Sequence, residues 1–192
     1  NKKNTIISIL IFFVLILFGF FIYQEYLEKN KIKLANKYNA LIIEYENGNE
    51  TNILNSMKEI IKDKDRTYSP LAFYYLLDNN LITSQEEINT YFDIIINEIG
   101  LDNENKNLTI FKKGLFNSEF ANENELLNIL NPLIKSDSIW KPHALYLMAE
   151  YYFSKKEKQK AKEFLEKLIS LENINDKIKL EAQKRLRSDL SE

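Results

Sequence analysis

Two kinds of hydrophobic pattern divide the chain. An unbroken run of apolar and uncharged residues extends from Thr5 to Tyr23. Beyond this run, apolar residues recur at intervals of three and four, which is the period of an amphipathic helix. The pattern therefore predicts one wholly apolar helix followed by amphipathic ones. The first amphipathic stripe consists of Leu27, Leu34, Tyr38, Leu41 and Tyr45.

Short polar breaks separate the periodic segments, among them Gly48-Asn49, Gly100 and the serine-rich cluster before Pro142. Only four glycines and three prolines occur, which disfavours a turn-rich β fold. We therefore predict an all-α fold. The predicted helices cover residues 26–46, 51–63, 69–80, 84–99, 106–119, 122–135, 142–154, 158–171 and 175–190.

The apolar run predicts a transmembrane anchor. A helix of this length covers roughly 28 Å, close to the hydrocarbon thickness of a bilayer. A signal peptide would have a shorter apolar stretch and a small-residue cleavage site, and no such site follows Tyr23. A buried core helix, the other alternative, rarely lacks a polar face over five turns. We therefore expect residues 5–23 to span a membrane, residues 1–24 to form the anchor and residues 25–192 to form one helical domain.

No helix breaker lies between Gly19 and Gly48. The membrane helix is therefore expected to continue into the helical domain as one rod, and a hinge near Gln24–Asn30 is the alternative. The charges that flank the span conflict as topology signals, because basic residues lie on both sides of it. We favour a topology in which the N-terminus lies on the cytoplasmic side of the membrane and the bulk of the chain lies outside the cytoplasm.

The remaining composition excludes several classes of function. The chain has no cysteine, so disulfides, thiolate metal sites and cysteine nucleophiles are excluded. Residues 24–192 hold 24 basic and 28 acidic side chains. This mild acidity argues against nucleic-acid binding, which usually needs a clustered basic excess.

No catalytic constellation is apparent. The single histidine, His143, follows Pro142 at a helix start, where a surface or capping role is expected. The acids of Glu86-Glu87 and Glu123-Asn124-Glu125 suit the first turns of helices. The run Lys155–Lys162 is interpreted as a solvated turn, with an anionic lipid or acidic partner as the alternative. We predict no enzyme activity, no cofactor, no metal and no small-molecule substrate.

The clearest repeated unit covers Pro142–Asn173 and resembles a tetratricopeptide repeat, a helix–turn–helix of about 34 residues. Ala149 and Ala161 occupy its small positions and are expected to let its two helices approach closely. Its large positions hold Leu145, Met148, Tyr152 and Leu165.

Residues at the same tight position recur in the preceding units, and the final helix is expected to cap the array. The recurring residues are Gly114, Leu76 and Ala40, and the apolar positions of the final helix are Ile178, Ala182, Leu186 and Leu190. Together these positions predict a right-handed array of about four helix pairs plus a C-terminal capping helix.

The whole arrangement is similar to one family. The stretches that carry the resemblance are "YQEYLEKNKIKLANKYNAL", "YSPLAFYYLL" and "WKPHALYLMAEYYFSKKEKQKAKEFLEKLI". The chain resembles the ancillary subunit of the Sec translocon, whose repeat domain is shared with a periplasmic cell-division coordinator. The resemblance implies a single-pass inner-membrane protein with a periplasmic domain that scaffolds other proteins, often beside a chaperone.

Aromatic residues recur at the groove-facing fifth position of three units, namely Phe73, Phe111 and Tyr146. Aromatic anchors with few charges suit the binding of a peptide segment. The alternative is that these side chains pack in the core. The other predicted groove residues are Tyr74, Leu77, Lys112, Leu115, Glu150 and Phe153.

The function that these features favour is a membrane-anchored protein-interaction scaffold of the bacterial cell envelope. Its expected partners are translocon or other membrane-complex subunits and an envelope chaperone. The alternative is a structural accessory subunit of another membrane complex.

Overall fold

A computed structural model describes residues 2–49, 52–172 and 174–189. These residues form nine α-helices and no strand, as the all-α prediction requires. The eight predicted helices from 51–63 onward are present, with ends within about three residues of their expected positions, and the predicted helix 26–46 is the C-terminal part of a helix that begins at Lys2. The helices are α1 (Lys2–Glu46), α2 (Ile53–Lys62), α3 (Tyr68–Asp78), α4 (Gln85–Glu98), α5 (Asn103–Asn117), α6 (Glu123–Ile134), α7 (Lys141–Ser154), α8 (Lys158–Ile169) and α9 (Asp176–Asp189).

Helix α1 is one unbroken helix of 45 residues, about 67 Å long. It passes through residues 24–30 without interruption, so the prediction of a rod is confirmed and the hinge is not found. The helix ends where Gly48 adopts a φ of +84° and its N–H donates to the Tyr45 carbonyl. Glycine is favoured there because residues with a side chain rarely adopt a positive φ.

The apolar part of α1 is uncovered. Every large apolar side chain from Leu10 to Tyr23 is at least 51% exposed. In the described part of the chain, α1 is the one helix long and apolar enough to cross a membrane. A core helix of a soluble protein would be mostly buried, so this exposure does not fit that alternative.

The chain divides into two compact units, and unit 1 covers Asn1–Thr83. Its three helices contact one another, and α2 buries Met57, Ile60 and Ile61 completely. Leu41 of α1 is also buried. The buried hydroxyl of Ser69 on α3 donates to the Ile60 carbonyl at 2.7 Å, which joins α2 to α3.

Unit 2 covers Ser84–Glu192 and contains α4 to α9. Each helix packs on the next, and α7 also contacts both α5 and α9. Three of the helices start at capping side chains, because Ser84, Asp102 and Asn122 each accept a backbone N–H of the first turn. Such caps satisfy donors that a helix start leaves without intrahelical partners.

Two apolar clusters form the core of unit 2. The first joins α5, α6, α7 and α8 through fully buried residues such as Leu130 and Met148. The second joins α7, α8 and α9, where Leu165 and Ala182 are fully buried. Ala182 is buried in this second cluster, and Ile178 and Leu186 pack against it. Leu190 lies outside the described residues.

The small residues predicted at close helix contacts are buried in unit 2 and not in α1. Ala149 and Ala161 are fully buried. A Cβ atom at Gly114 would overlap the side chain of Leu130, so only glycine fits there without rearrangement. Ala40, in contrast, is exposed, so the prediction of a close contact at Ala40 is wrong. Leu76 is fully buried as an ordinary core side chain.

Candidate functional site

The groove residues predicted in unit 1 differ in exposure. Phe73 is fully buried, so its side chain has no surface to offer a partner. The core packing given above as the alternative therefore applies to Phe73. Tyr74 and Leu77, on the same helix, are half-buried and retain some accessible surface.

The α5 residues of unit 2 belong to an aromatic patch, which we define as Phe111, Leu115, Trp140 and His143. The Phe111 ring stacks on Trp140 at 5.4 Å between ring centroids and meets the edge of His143 at 5.8 Å. Trp140 and His143 are 5.2 Å apart. Leu115, one turn further along α5, is 52% exposed. The patch thus combines half-buried Phe111 and Trp140 with exposed His143 and Leu115. Half-buried Lys112 lies beside it on α5.

The α7 residues predicted for the groove gather around one side chain of α9. The Arg185 guanidinium donates to both carboxylate oxygens of Glu150, at 3.0 and 3.1 Å. The same guanidinium lies 4.7 Å from the ring centroid of Phe153. Burial, and then the nearby Glu150 carboxylate, raise the pKa of Tyr146. Glu150 and Phe153 therefore take part in the α7–α9 contact within the chain.

Trp140, His143 and Arg185 were not predicted as site residues. His143 is exposed, as expected of a surface residue, but it does not cap α7, whose N-cap residue is Trp140. The single tryptophan just before a helix start was an available signal, since tryptophan is enriched at binding surfaces. Arg185 gave no local signal, because its partner lies 35 residues away.

A second polar cluster ties α6, α7 and α8 together. Glu123 accepts hydrogen bonds from the Tyr152 hydroxyl at 2.9 Å and the Lys160 ammonium at 2.7 Å. Glu123 also lies in the first turn of α6, as predicted. Lys160 is paired in addition with Glu157 at 2.8 Å. The lysine run Lys155–Lys162 is thus partly engaged within the chain.

This cluster should make stability depend on pH. Hydrogen bonds from Lys160 and Tyr152 lower the pKa of Glu123, and the bond to Glu123 raises the pKa of Lys160. A carboxylate with a lowered pKa stabilises the fold above its unfolded pKa, and this contribution is lost as the pH falls through its folded pKa. A lysine with a raised pKa stabilises the fold below its unfolded pKa, and this contribution is lost as the pH rises through its folded pKa.

We therefore expect Glu123→Gln to lower the free energy of unfolding at pH 7 and to flatten its decline below about pH 4.5. Urea denaturation followed by circular dichroism from pH 3 to 8 measures both effects. The matched control is Glu119→Gln, at an exposed glutamate of the same unit. Parallel pH profiles for the wild type and Glu123→Gln would contradict the expectation.

Comparison of the chain with models of protein families, with curated proteins and with solved structures gives no match. Among the described residues, no group of three or more histidine, aspartate or glutamate side chains is arranged to hold a metal ion.

Proposed function

We propose that the chain is a membrane-anchored, non-enzymatic interaction scaffold of the bacterial cell envelope. The observation that carries this proposal is α1, whose residues 10–23 are exposed and apolar while its later residues pack within unit 1. An exposed apolar segment of this length is unfavourable in water and favourable in a bilayer. We place the N-terminus inside and the bulk of the chain on the periplasmic side of the inner membrane.

We further propose that the helices after the span form a tetratricopeptide-like array that ends in α9. The packing of α7 on both α5 and α9 supports this, because in a stacked array each repeated helix contacts its counterparts on either side. Buried small residues at Ala149 and Ala161 support it as well, since they sit at the tight positions of the repeat.

The scaffold function is supported by the aromatic patch. Aromatic residues that are partly exposed and packed against one another are typical of binding hot spots. Partners beside the Sec translocon, including an envelope chaperone, follow from the resemblance described above. The alternative is a structural accessory subunit of another membrane complex, whose own subunits would occupy the same patch.

Replacing Leu115 with aspartate should reduce partner recovery at least tenfold, because a charge would enter an apolar contact surface. The measurement is quantitative mass spectrometry of proteins that co-purify with the full chain in a mild detergent. Leu180→Asp is the matched control, since Leu180 is an exposed leucine of the same unit at 62%. Circular dichroism should show unchanged helical content in both variants.

The identity of the co-purifying proteins distinguishes the two functions. Translocon and chaperone components support the scaffold beside the translocon. A stoichiometric set of unrelated membrane subunits supports the accessory-subunit alternative. If the Leu115→Asp variant and the wild type recover equal amounts of partner protein, the aromatic patch does not bind the partner.

A further inference from the structure

Four tyrosines of unit 1 form a continuous surface along α1 and α3. The Tyr38 ring lies 5.8 Å from Tyr68 and 6.4 Å from Tyr75, and Tyr45 lies 5.9 Å from Tyr75. The order of these pairs shows that the two helices run parallel here. Leu71, which is 43% exposed, lies between Tyr68 and Tyr75 on the same side of α3. We call these five residues the tyrosine face.

The tyrosine face is both accessible and chemically mixed. All four tyrosines are half-buried, so each ring packs on its neighbours while part of it remains open. Both hydroxyls are neutral and able to donate at physiological pH, because tyrosine ordinarily has a pKa of about 10 and burial raises the pKa of Tyr38 and of Tyr75 further. Tyrosine combines a large apolar ring with a polar group, and it is enriched at protein interfaces for this reason.

One end of the tyrosine face is acidic. Glu46 and Asp78 are exposed in the last turns of α1 and α3. The Glu46 carboxylate is close enough to raise the pKa of Tyr75, second to burial. Within the described residues, neither last turn contains a basic side chain. Two parallel helix C-termini add partial negative charge at this end.

The membrane does not cover the tyrosine face. Tyr38 lies 15 residues beyond Tyr23, the last residue of the apolar run. That separation corresponds to about 22 Å along an α-helix, whereas the headgroup layer is only about 6 Å thick. The acidic end lies further still along α1. Lipid is therefore excluded as an occupant of this face.

We propose that the tyrosine face binds an extended peptide segment of a partner protein, with a lysine or arginine of that segment at the Glu46–Asp78 end. The two carboxylates supply the charge complement, and the Tyr45 and Tyr75 rings add cation–π attraction. The apolar remainder of the segment covers Leu71 and the other rings. This inference rests on the proposed scaffold function and adds the chemistry of the partner.

Two fluorescein-labelled decapeptides provide the test. They share one apolar sequence and carry either two arginines or two glutamates at one end. Anisotropy titration of the full chain in mild detergent should show the arginine peptide binding at least tenfold more tightly. Glu46→Lys combined with Asp78→Lys should reverse the preference, because both side chains are exposed and the acidic end would become basic. Matched control substitutions are Glu119→Lys and Asp137→Lys, exposed acids of unit 2.

A second variant tests the rings themselves. Tyr45→Ala with Tyr75→Ala should weaken the arginine peptide at least tenfold, with helical content checked by circular dichroism. Equal binding of the two peptides, or an unchanged preference in the charge-reversed variant, would overturn the inference. If the chain forms a dimer that dissociates in the charge-reversed variant, the tyrosine face binds a second copy of the chain. That result would also overturn the inference.

The outcomes separate this inference from the proposed function. In one outcome, membrane partners co-purify equally with the wild type and the charge-reversed variant, and the chain binds both peptides equally. The scaffold function then stands, and the tyrosine face does not contribute to it. If the preference is present but no partner co-purifies in detergent, the inference stands and the scaffold proposal fails.

Discussion

Replacing Ala161 with leucine should lower the free energy of unfolding by about 3 kcal/mol. Ala161 is fully buried in the cluster that joins α7 and α8, together with Met148 and Tyr152. Three additional carbon atoms have no space there, because protein interiors are close-packed and transmit strain to their neighbours. The helices must separate or the side chains must leave their preferred rotamers.

Urea denaturation of the full chain in mild detergent, followed by circular dichroism, measures this loss. Ala40→Leu is the matched control, because Ala40 is helical and exposed. We expect that control to change stability by no more than about 0.5 kcal/mol. Similar losses at both positions would show that α7 and α8 do not depend on a small residue at Ala161.

Two arginines introduced into the apolar part of α1 should prevent stable membrane insertion. Leu15→Arg with Phe18→Arg is expected to cost about 5–7 kcal/mol of insertion free energy, since each arginine near the centre of a span costs about 2.5–3.5 kcal/mol. The matched control is Leu27→Arg with Ile32→Arg, two exposed apolar positions of the same helix beyond the run.

Membrane fractionation followed by carbonate extraction measures this effect. The control variant should remain in the membrane pellet, and the Leu15→Arg, Phe18→Arg variant should be lost from it. Retention of both variants would mean that residues 10–23 do not hold the chain in the bilayer.

Much of the fold could be predicted from the sequence because its signals are local. The period of apolar residues located helices α2 to α9, and capping residues such as Ser84 and Asn122 mark the starts of two of them. The absence of glycine and proline between Gly19 and Gly48 correctly indicated that α1 would be continuous. Such features depend on neighbours in sequence, so one chain is enough to detect them.

The less successful predictions concern which surface each side chain meets. Phe73 was placed in a groove because of its position in the repeat, yet it is fully buried. Ala40 has the right size for a close contact but faces no neighbouring helix closely. The periodicity of apolar residues identifies the apolar face of a helix, but it does not identify which element packs against that face.

Contacts between distant residues were beyond the reach of the sequence patterns. Glu150 was predicted as a groove residue, whereas the structure pairs it with Arg185, 35 residues later. The tyrosine face depends in the same way on the parallel packing of α1 and α3. These sites require the tertiary arrangement of helices whose individual positions were already predictable.

Peptide mass spectrometry of the chain extracted from membranes tests most directly whether α1 remains a single anchor. A peptide that crosses the Tyr23–Gln24 bond should be recovered in the same amount as peptides from α7. A membrane-extracted chain whose first residue lies beyond Tyr23 would contradict the anchor and, with it, the attachment of unit 1 to the bilayer.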